Sequence, residues 1–118
     1  MLDPLATPLR RFAVGAMLAG LACGTASGAD DDAALIALGK TLFTVGAVPP
    51  CAICHALKDA GATGAIGPAF DDLKPAPDQV ITALKSGIGA MPSYRGSLSD
   101  EQMRALARYV SKASGGAR

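Results

Sequence analysis

The chain has 118 residues, a formal charge of +1 at pH 7 and only 4% aromatic residues, with no tryptophan. This length allows one domain at most. The near-neutral charge excludes the strongly basic surface on which nucleic-acid binding depends, so we expect no nucleic-acid partner.

The start of the chain has the pattern of an export signal. Two arginines at 10–11 precede an apolar run at 12–21, and small residues follow at 22–29. A basic segment, a short apolar core and a small-residue exit are typical of a secretory signal peptide. The apolar run is about half the ~20 residues that span a bilayer, which disfavours a membrane anchor. We therefore predict a cleavable secretory signal peptide at residues 1–29.

Removal of this signal leaves a mature domain at residues 30–118. A lipid-attachment site at Cys23 is disfavoured because the residues before it are in the wrong order, so we expect Cys23 to be lost with the signal. The mature domain then has two cysteines, Cys51 and Cys54. We expect it to lie in the periplasm without a stable membrane span.

The first helix of the mature domain is predicted to begin at residues 30–32. Three aspartates there suit the positive end of the helix dipole. An apolar stripe with helical spacing follows at Leu35, Leu38, Gly39, Leu42 and Phe43. Because a glycine inside a helix costs about 1 kcal/mol, Gly39 predicts a second helix that crosses closely at this point. Gly46 and the prolines at 49–50 end the helix.

The segment Cys51-Ala52-Ile53-Cys54-His55 carries the main chemical signal. Two thiols at this spacing can add to the two vinyl groups of one haem, and the adjacent imidazole can reach the iron. A thioredoxin-type redox pair is disfavoured because no α/β pattern surrounds it. A zinc site would need further ligands. The motif therefore predicts one haem c, attached through Cys51 and Cys54.

The segment after the motif, residues 59–68, is rich in glycine and alanine and has neither a helical nor a strand period. We expect a loop that lies against the haem. Its last residue, Pro68, keeps a free carbonyl that can accept a hydrogen bond from the His55 ring. Such a bond orients the imidazole and raises its basicity as a ligand.

The second axial ligand cannot be another histidine of this chain, because His55 is the only one. Met91 lies in a glycine-punctuated loop and is followed by Pro92. Met103 instead fits the apolar face of the last helix. Met91 is therefore the predicted second iron ligand, with Met103, a lysine or an open site as alternatives. A propionate bond from Tyr94 or Arg95 and plain surface placement of both remain open.

Two further helices complete the predicted elements. Residues 78–86 form a short helix that stops at Gly87. Ser99 and Gln102 form a capping box for the last helix, which Gly115 and Gly116 end. No strand pattern of useful length appears. The sequence thus predicts an all-α domain of three principal helices with long loops around one covalently bound haem.

At this point the sequence resembles the class I c-type cytochromes. The residues that carry the resemblance are Gly39, Phe43, Cys51 to His55, Gly67-Pro68, Met91-Pro92 and Tyr109. The resemblance implies the small class I cytochrome c fold, in which the first and last helices cross at the glycine and aromatic positions. It also implies a haem with His/Met ligation that serves in one-electron transfer.

The segment 46–75, with Lys58-Asp59-Ala60-Gly61-Ala62, more narrowly resembles the small cytochromes that partner periplasmic sulfite dehydrogenases. This resemblance implies redox-protein partners: a donor such as sulfite dehydrogenase, and an acceptor oxidase or another cytochrome. We expect an electron carrier, not an enzyme. A gas-binding or sensor protein with a labile sixth ligand, and a permanently bound subunit of an enzyme complex, are the alternatives.

Overall fold

The computed structural model describes residues 27–116. In chain order these contain helix α1 (Ser27–Thr41), a π-helical turn (Leu42–Gly46), a 3-10 turn (Cys51–Ile53), strand β1 (His55–Leu57), a 3-10 turn (Lys58–Ala60), strand β2 (Ala62–Ala65), and helices α2 (Phe70–Leu73), α3 (Pro77–Ser86) and α4 (Asp100–Ser114). The three long helices confirm the predicted mostly helical architecture. None of the described helices is both long and apolar enough to cross a membrane. The predicted signal peptide lies outside the described residues except for its last three, and stays a prediction.

Helices α1 and α4 pack against each other more extensively than any other pair of elements. Gly39 lies at their crossing and is buried. A Cβ atom on Gly39 would collide with the backbone carbonyl of Ala105 and lie 2.6 Å from the Cβ of Tyr109. Only a residue without a side chain allows the two helices to approach this closely. The predicted close crossing at Gly39 is confirmed.

The residues predicted to begin and end α4 do so in the structure. The Gln102 backbone N–H donates to Ser99 Oγ at 3.1 Å, and the Ser99 N–H donates to Gln102 Oε1 at 2.9 Å. Gly115 ends the helix with a φ of +78°, in the left-handed region. The face that α4 buries includes Met103, Leu106, Ala107, Tyr109 and Val110. The apolar spacing of the last helix therefore predicted its buried face.

The bounds of the first helix differ from the prediction. Helix α1 begins at Ser27, three residues before the aspartates, and the chain continues beyond Thr41 as the π-helical turn. In that turn the Ala47 N–H donates to the Leu42 carbonyl at 2.9 Å. The wider turn still buries Leu42 and Phe43 in the core. The apolar stripe therefore predicted which residues are buried, but it did not predict the change from α-helix to π-helical turn.

The loop predicted after His55 is instead a short antiparallel hairpin. Strands β1 and β2 pair His55 with Ala65 and Leu57 with Ala62, with an irregular register after His55. The N–H groups of Ile66 and Gly67 both donate to the Cys54 carbonyl, at 3.1 and 2.8 Å. A ladder of three residue pairs is too short to leave an alternating pattern in the sequence. The hydrogen bonds from Ile66 and Gly67 to Cys54 extend the hairpin beyond this ladder. The expectation of no strand was wrong here.

A polar contact joins the hairpin turn to both terminal helices. Tyr109 Oη donates to Asp59 Oδ2 at 2.7 Å, and Lys40 Nζ lies 3.1 Å from the same oxygen. The hydrogen bond from Tyr109, followed by that from Lys40, holds the pKa of Asp59 below its ordinary value. Burial, followed by the hydrogen bond to Asp59, raises the pKa of Tyr109. The ionised carboxylate therefore stabilises the α1–α4 crossing.

We expect Asp59→Asn to make the stability of the domain less dependent on pH. Because the folded pKa of Asp59 is lowered, its contribution is fully present above the ordinary value of about 3.9 and is lost as the pH falls through the folded pKa. The carboxylate is about half exposed, so solvent screening limits the effect to at most ~1 kcal/mol. Denaturant unfolding between neutral and strongly acidic pH measures it. Asp72→Asn, which removes an exposed carboxylate on α2, is the control, and identical pH profiles for Asp59→Asn and wild type would contradict the expectation.

Candidate functional site

An apolar cleft of about 390 Å³ opens between the haem-motif turn, α2, α3 and the methionine loop. Its lining residues are Pro49, Pro50, Cys51, Cys54, His55, Ile66, Gly67, Pro68, Phe70, Leu73, Pro75, Gln79, Val80, Ala83, Ile88, Ala90, Met91, Pro92 and Tyr94. The volume falls within the ~300–1,000 Å³ of cofactor pockets. None of the lining residues is an aspartate, glutamate, lysine or arginine. Two thiols, one imidazole and one thioether within an otherwise apolar cleft fit a flat apolar macrocycle with a central metal.

The two cysteines reach the cleft from one tight turn. The Ile53 N–H donates to the Pro50 carbonyl at 3.2 Å, and the Cys54 N–H donates to the Cys51 carbonyl at 3.1 Å. Both cysteines are free and half-buried. Burial raises the pKa of the Cys51 thiol to about 11, so this thiol is neutral before haem attachment. A neutral thiol lacks the low pKa of a reactive redox cysteine, which disfavours the thioredoxin-type alternative.

His55 is buried at the start of β1, where only 7% of the residue is exposed. Its Nδ1 donates a hydrogen bond to the Pro68 carbonyl oxygen at 2.9 Å, so the hydrogen bond predicted between these residues is present. A carbonyl can only accept, so Nδ1 carries a proton, and in the neutral ring the lone pair then lies on Nε2. The imidazole is therefore in the tautomer that a metal ion requires.

Two further residues fix the plane of the His55 ring. The ring of Phe70 stacks on the imidazole, with centroids 4.4 Å apart and planes 15° apart. A Cβ atom on Gly67 would lie 2.8 Å from His55 Nδ1, so a larger residue there would displace the ring. The contact of Phe70 with His55 was not predicted, because in the sequence Phe70 is only one of a few aromatic residues. The signal that could have identified it is its position two residues after Pro68.

Met91 lines the same cleft as His55, as predicted from its loop. Its backbone N–H donates to the Ile88 carbonyl at 2.9 Å, and its own carbonyl accepts from the Ile88 N–H at 3.1 Å. These two bonds close the loop tightly around the methionine. Met103 instead lies in the core of the domain, and neither it nor any lysine lines the cleft. The structure therefore brings Met91 to the site and places Met103 and the described lysines elsewhere, while iron ligation by Met91 stays a prediction.

Tyr94 has a different environment from the one considered on sequence grounds. It is only 3% exposed, so surface placement was wrong for this residue. Its Oη donates to the Pro49 carbonyl at 2.7 Å, and burial raises its pKa to about 12. Arg95, by contrast, is exposed. This hydrogen bond thus connects the segment before Cys51 to the segment that follows the methionine loop.

Comparisons with known proteins agree with this geometry. A family model described as "Cytochrome C oxidase, cbb3-type, subunit III" matches residues 34–110. Cytochrome c6 of Leptolyngbya boryana is 35% identical over 64 residues, which are 51% of this chain and 75% of that protein. The crystal structure of the c-type cytochrome SorU from Sinorhizobium meliloti matches with a TM-score of 0.68 and 44% identity, over 71% of this chain and 95% of that one.

The family match contains the cysteine motif, the hairpin, the methionine loop and most of α4. The predicted cytochrome c fold and its haem c cofactor are confirmed. The family's description names an oxidase, but that name describes the family and identifies no partner of this chain. The chain belongs to this family of c-type cytochromes and is a monohaem class I c-type cytochrome that carries electrons.

Proposed function

We propose that this chain is a periplasmic one-electron carrier whose haem iron is bound by His55 and Met91, with a sulfite dehydrogenase as electron donor. Cys51 and Cys54 attach the haem, and Pro68 orients His55 toward it. The acceptor is an oxidase or another cytochrome. The observation that carries the proposal is the convergence of both cysteines, His55 and Met91 on one apolar cleft.

The residues of the cleft suit fast electron transfer. The haem supplies a one-electron redox change at its iron. The hydrogen bond to Pro68 and the stacking of Phe70 hold the imidazole in one orientation. The two backbone hydrogen bonds between Ile88 and Met91 fix the turn that carries the thioether. Because both ligand-bearing segments are fixed, little rearranges when the charge of the site changes.

The same residues favour the reduced state. The oxidised site carries one more positive charge than the reduced site, and no acidic side chain lines the cleft to compensate it. A low-polarity environment disfavours the more highly charged form. Methionine ligation adds to this effect, because a His/Met pair raises the haem potential. We therefore expect a potential suited to accepting electrons from a dehydrogenase.

The choice of donor rests on resemblance. The segment 46–75 resembles the cytochromes that partner periplasmic sulfite dehydrogenases, and the 44% identity to SorU extends over most of the chain. Oxidation of sulfite with one water to sulfate releases two electrons and two protons. A carrier of one electron must therefore be reduced twice, or two copies once each, for every sulfite.

Stopped-flow mixing of the oxidised holoprotein with a periplasmic sulfite dehydrogenase and excess sulfite tests the proposal. We expect rapid reduction, with two cytochromes reduced per sulfite consumed. The same mixture without sulfite, and other periplasmic dehydrogenases with their own substrates, serve as controls. If ascorbate reduces the cytochrome but sulfite with its dehydrogenase does not, the donor assignment is wrong.

A further inference from the structure

We propose that the side-chain amide of Gln79 donates a hydrogen bond to a haem propionate and so holds the cofactor at the edge opposite its covalent attachment. The group that Gln79 binds is a carboxylate of the cofactor itself. The inference rests on the haem of the proposed function, but it does not depend on the choice of electron donor.

The walls of the cleft leave one side for the propionates. In a haem, the vinyl groups and the propionates lie on opposite edges of the ring. Cys51 and Cys54 take the vinyl edge. In the proposed ligation, His55 and Met91 take the two faces. The turn that carries the cysteines packs against the π-helical turn and the hairpin, whereas α3 packs chiefly against α4. Helix α3 is therefore the wall that the propionate edge meets.

Hydrogen-bond donors are scarce among the side chains that line the cleft. Tyr94 Oη already donates to the Pro49 carbonyl at 2.7 Å. His55 Nδ1 donates to the Pro68 carbonyl at 2.9 Å. The two cysteine thiols lose their hydrogens in haem attachment. Apart from Gln79, the other lining side chains have no N–H or O–H group. Gln79 is therefore the lining side chain that has a donor left for a carboxylate.

The amide of Gln79 is already oriented by the backbone. Its Oε1 accepts a hydrogen bond from the Ala76 N–H at 2.8 Å, at the start of α3. Because an N–H group needs an oxygen as its acceptor, this contact leaves both hydrogens of Nε2 for another group. Gln79 is exposed and also lines the cleft, so the amide lies at the opening of the cleft. A side chain that is already fixed loses little conformational entropy when it binds.

The charges around the opening make a neutral donor important. The lining contains no lysine or arginine that could pair with a propionate. Lys74 and Arg95 are exposed and do not line the cleft. Asp78, the exposed neighbour of Gln79 in the chain, carries a charge of the same sign as a propionate. Hydrogen bonds to the ionised form of a carboxyl group favour that form. A bond from Gln79 therefore lowers the pKa of the propionate.

NMR of the reduced, isotope-labelled holoprotein tests the contact directly. We expect a nuclear Overhauser effect between the side-chain amide protons of Gln79 and a propionate methylene group. The side-chain amide of Gln102 is the internal control. Its Oε1 accepts from the Ser99 N–H at 2.9 Å, in the same capping arrangement, but Gln102 does not line the cleft. The amide protons of Gln102 should therefore show no effect with the haem.

A pH titration of the propionate methylene resonances separates cofactor binding from helix capping. Gln79→Met removes the amide and should raise the pKa of the bound propionate by about 1, because a hydrogen bond to its ionised form is lost. Gln79→Glu keeps an oxygen for the Ala76 N–H but replaces the donor with a carboxylate oxygen, so it should raise this pKa at least as far. Gln102→Met is the matched control, which loses a helix cap and should leave the pKa unchanged.

Two results would overturn the inference. One is a Gln79 amide without contact to a propionate, and the other is a wild-type propionate pKa in both Gln79→Met and Gln79→Glu, which would show that Gln79 only caps α3. All variants should keep the wild-type visible spectrum, because Gln79 does not bind the iron. Either result, in a holoprotein that sulfite dehydrogenase still reduces, would overturn this inference and leave the proposed function intact.

Discussion

Replacement of Met91 by alanine is expected to remove the sulfur ligand from the iron while leaving the haem attached. The redox potential should then fall by a substantial part of the about 0.8 V range that axial ligands control. The charge-transfer band of sulfur–iron coordination should disappear from the oxidised spectrum. The reduced variant should bind carbon monoxide, which we expect the wild type to exclude. Spectroscopy and a redox titration of the purified holoprotein measure all three changes.

Met103→Leu is the matched control for this experiment. Met103 is buried in the core and does not line the cleft, so its replacement should cost less than about 1.5 kcal/mol and leave the spectrum and potential unchanged. Carbon monoxide binding by the reduced wild type would favour the gas-binding alternative. An unchanged spectrum and potential in Met91→Ala would show that another group binds the iron.

Replacement of Gly39 by alanine is expected to produce the largest loss of stability from a single added methyl group. In an exposed helix this change would stabilise by about 1 kcal/mol. Here the added Cβ meets the Ala105 carbonyl and the Tyr109 Cβ, and backbone atoms cannot move aside as a flexible side chain can. We expect a net loss of about 2–3 kcal/mol, which lowers the Tm of a domain this size by roughly 10–20 °C.

Gly96→Ala is the comparison for Gly39→Ala. A Cβ atom on Gly96 meets no atom within 4 Å, so this variant should unfold close to the wild-type temperature. Thermal unfolding of the three holoproteins, followed by circular dichroism, measures the difference. A Gly39→Ala variant as stable as the wild type would mean that the helices can separate at the crossing without cost.

Features with a local cause could be predicted from the sequence. The capping box of Ser99 and Gln102 and the left-handed Gly115 each depend on a few neighbouring residues. Gly39 depends on a distant helix but was still predicted, because a glycine within an apolar stripe favours a close helix crossing over a tolerated surface position. The haem attachment was predictable because covalent chemistry dictates the spacing of Cys51 and Cys54.

Three other features were not predicted, because each needs a contact between separate segments that leaves no signal in the sequence. The β1–β2 hairpin has a ladder of only three residue pairs, and the return of the chain to the Cys54 carbonyl completes it. The stacking of Phe70 on His55 joins two segments whose distance only the fold sets. The hydrogen bond from Tyr94 to Pro49 spans 45 positions in the chain. Each of these contacts is non-local, so no short pattern encodes it.

The crossing of α1 and α4 also determines when the domain can close during synthesis. Its contacts join Gly39 to Ala105, so they form only after nearly the whole described chain has been made. Closing so long a loop is entropically costly and comes late compared with local helix formation. None of the residues that line the cleft belongs to α1 or α4, so the turn with Cys51 and Cys54 can form before this closure. The terminal crossing therefore sets the stability of the domain without deciding whether the two thiols can be reached.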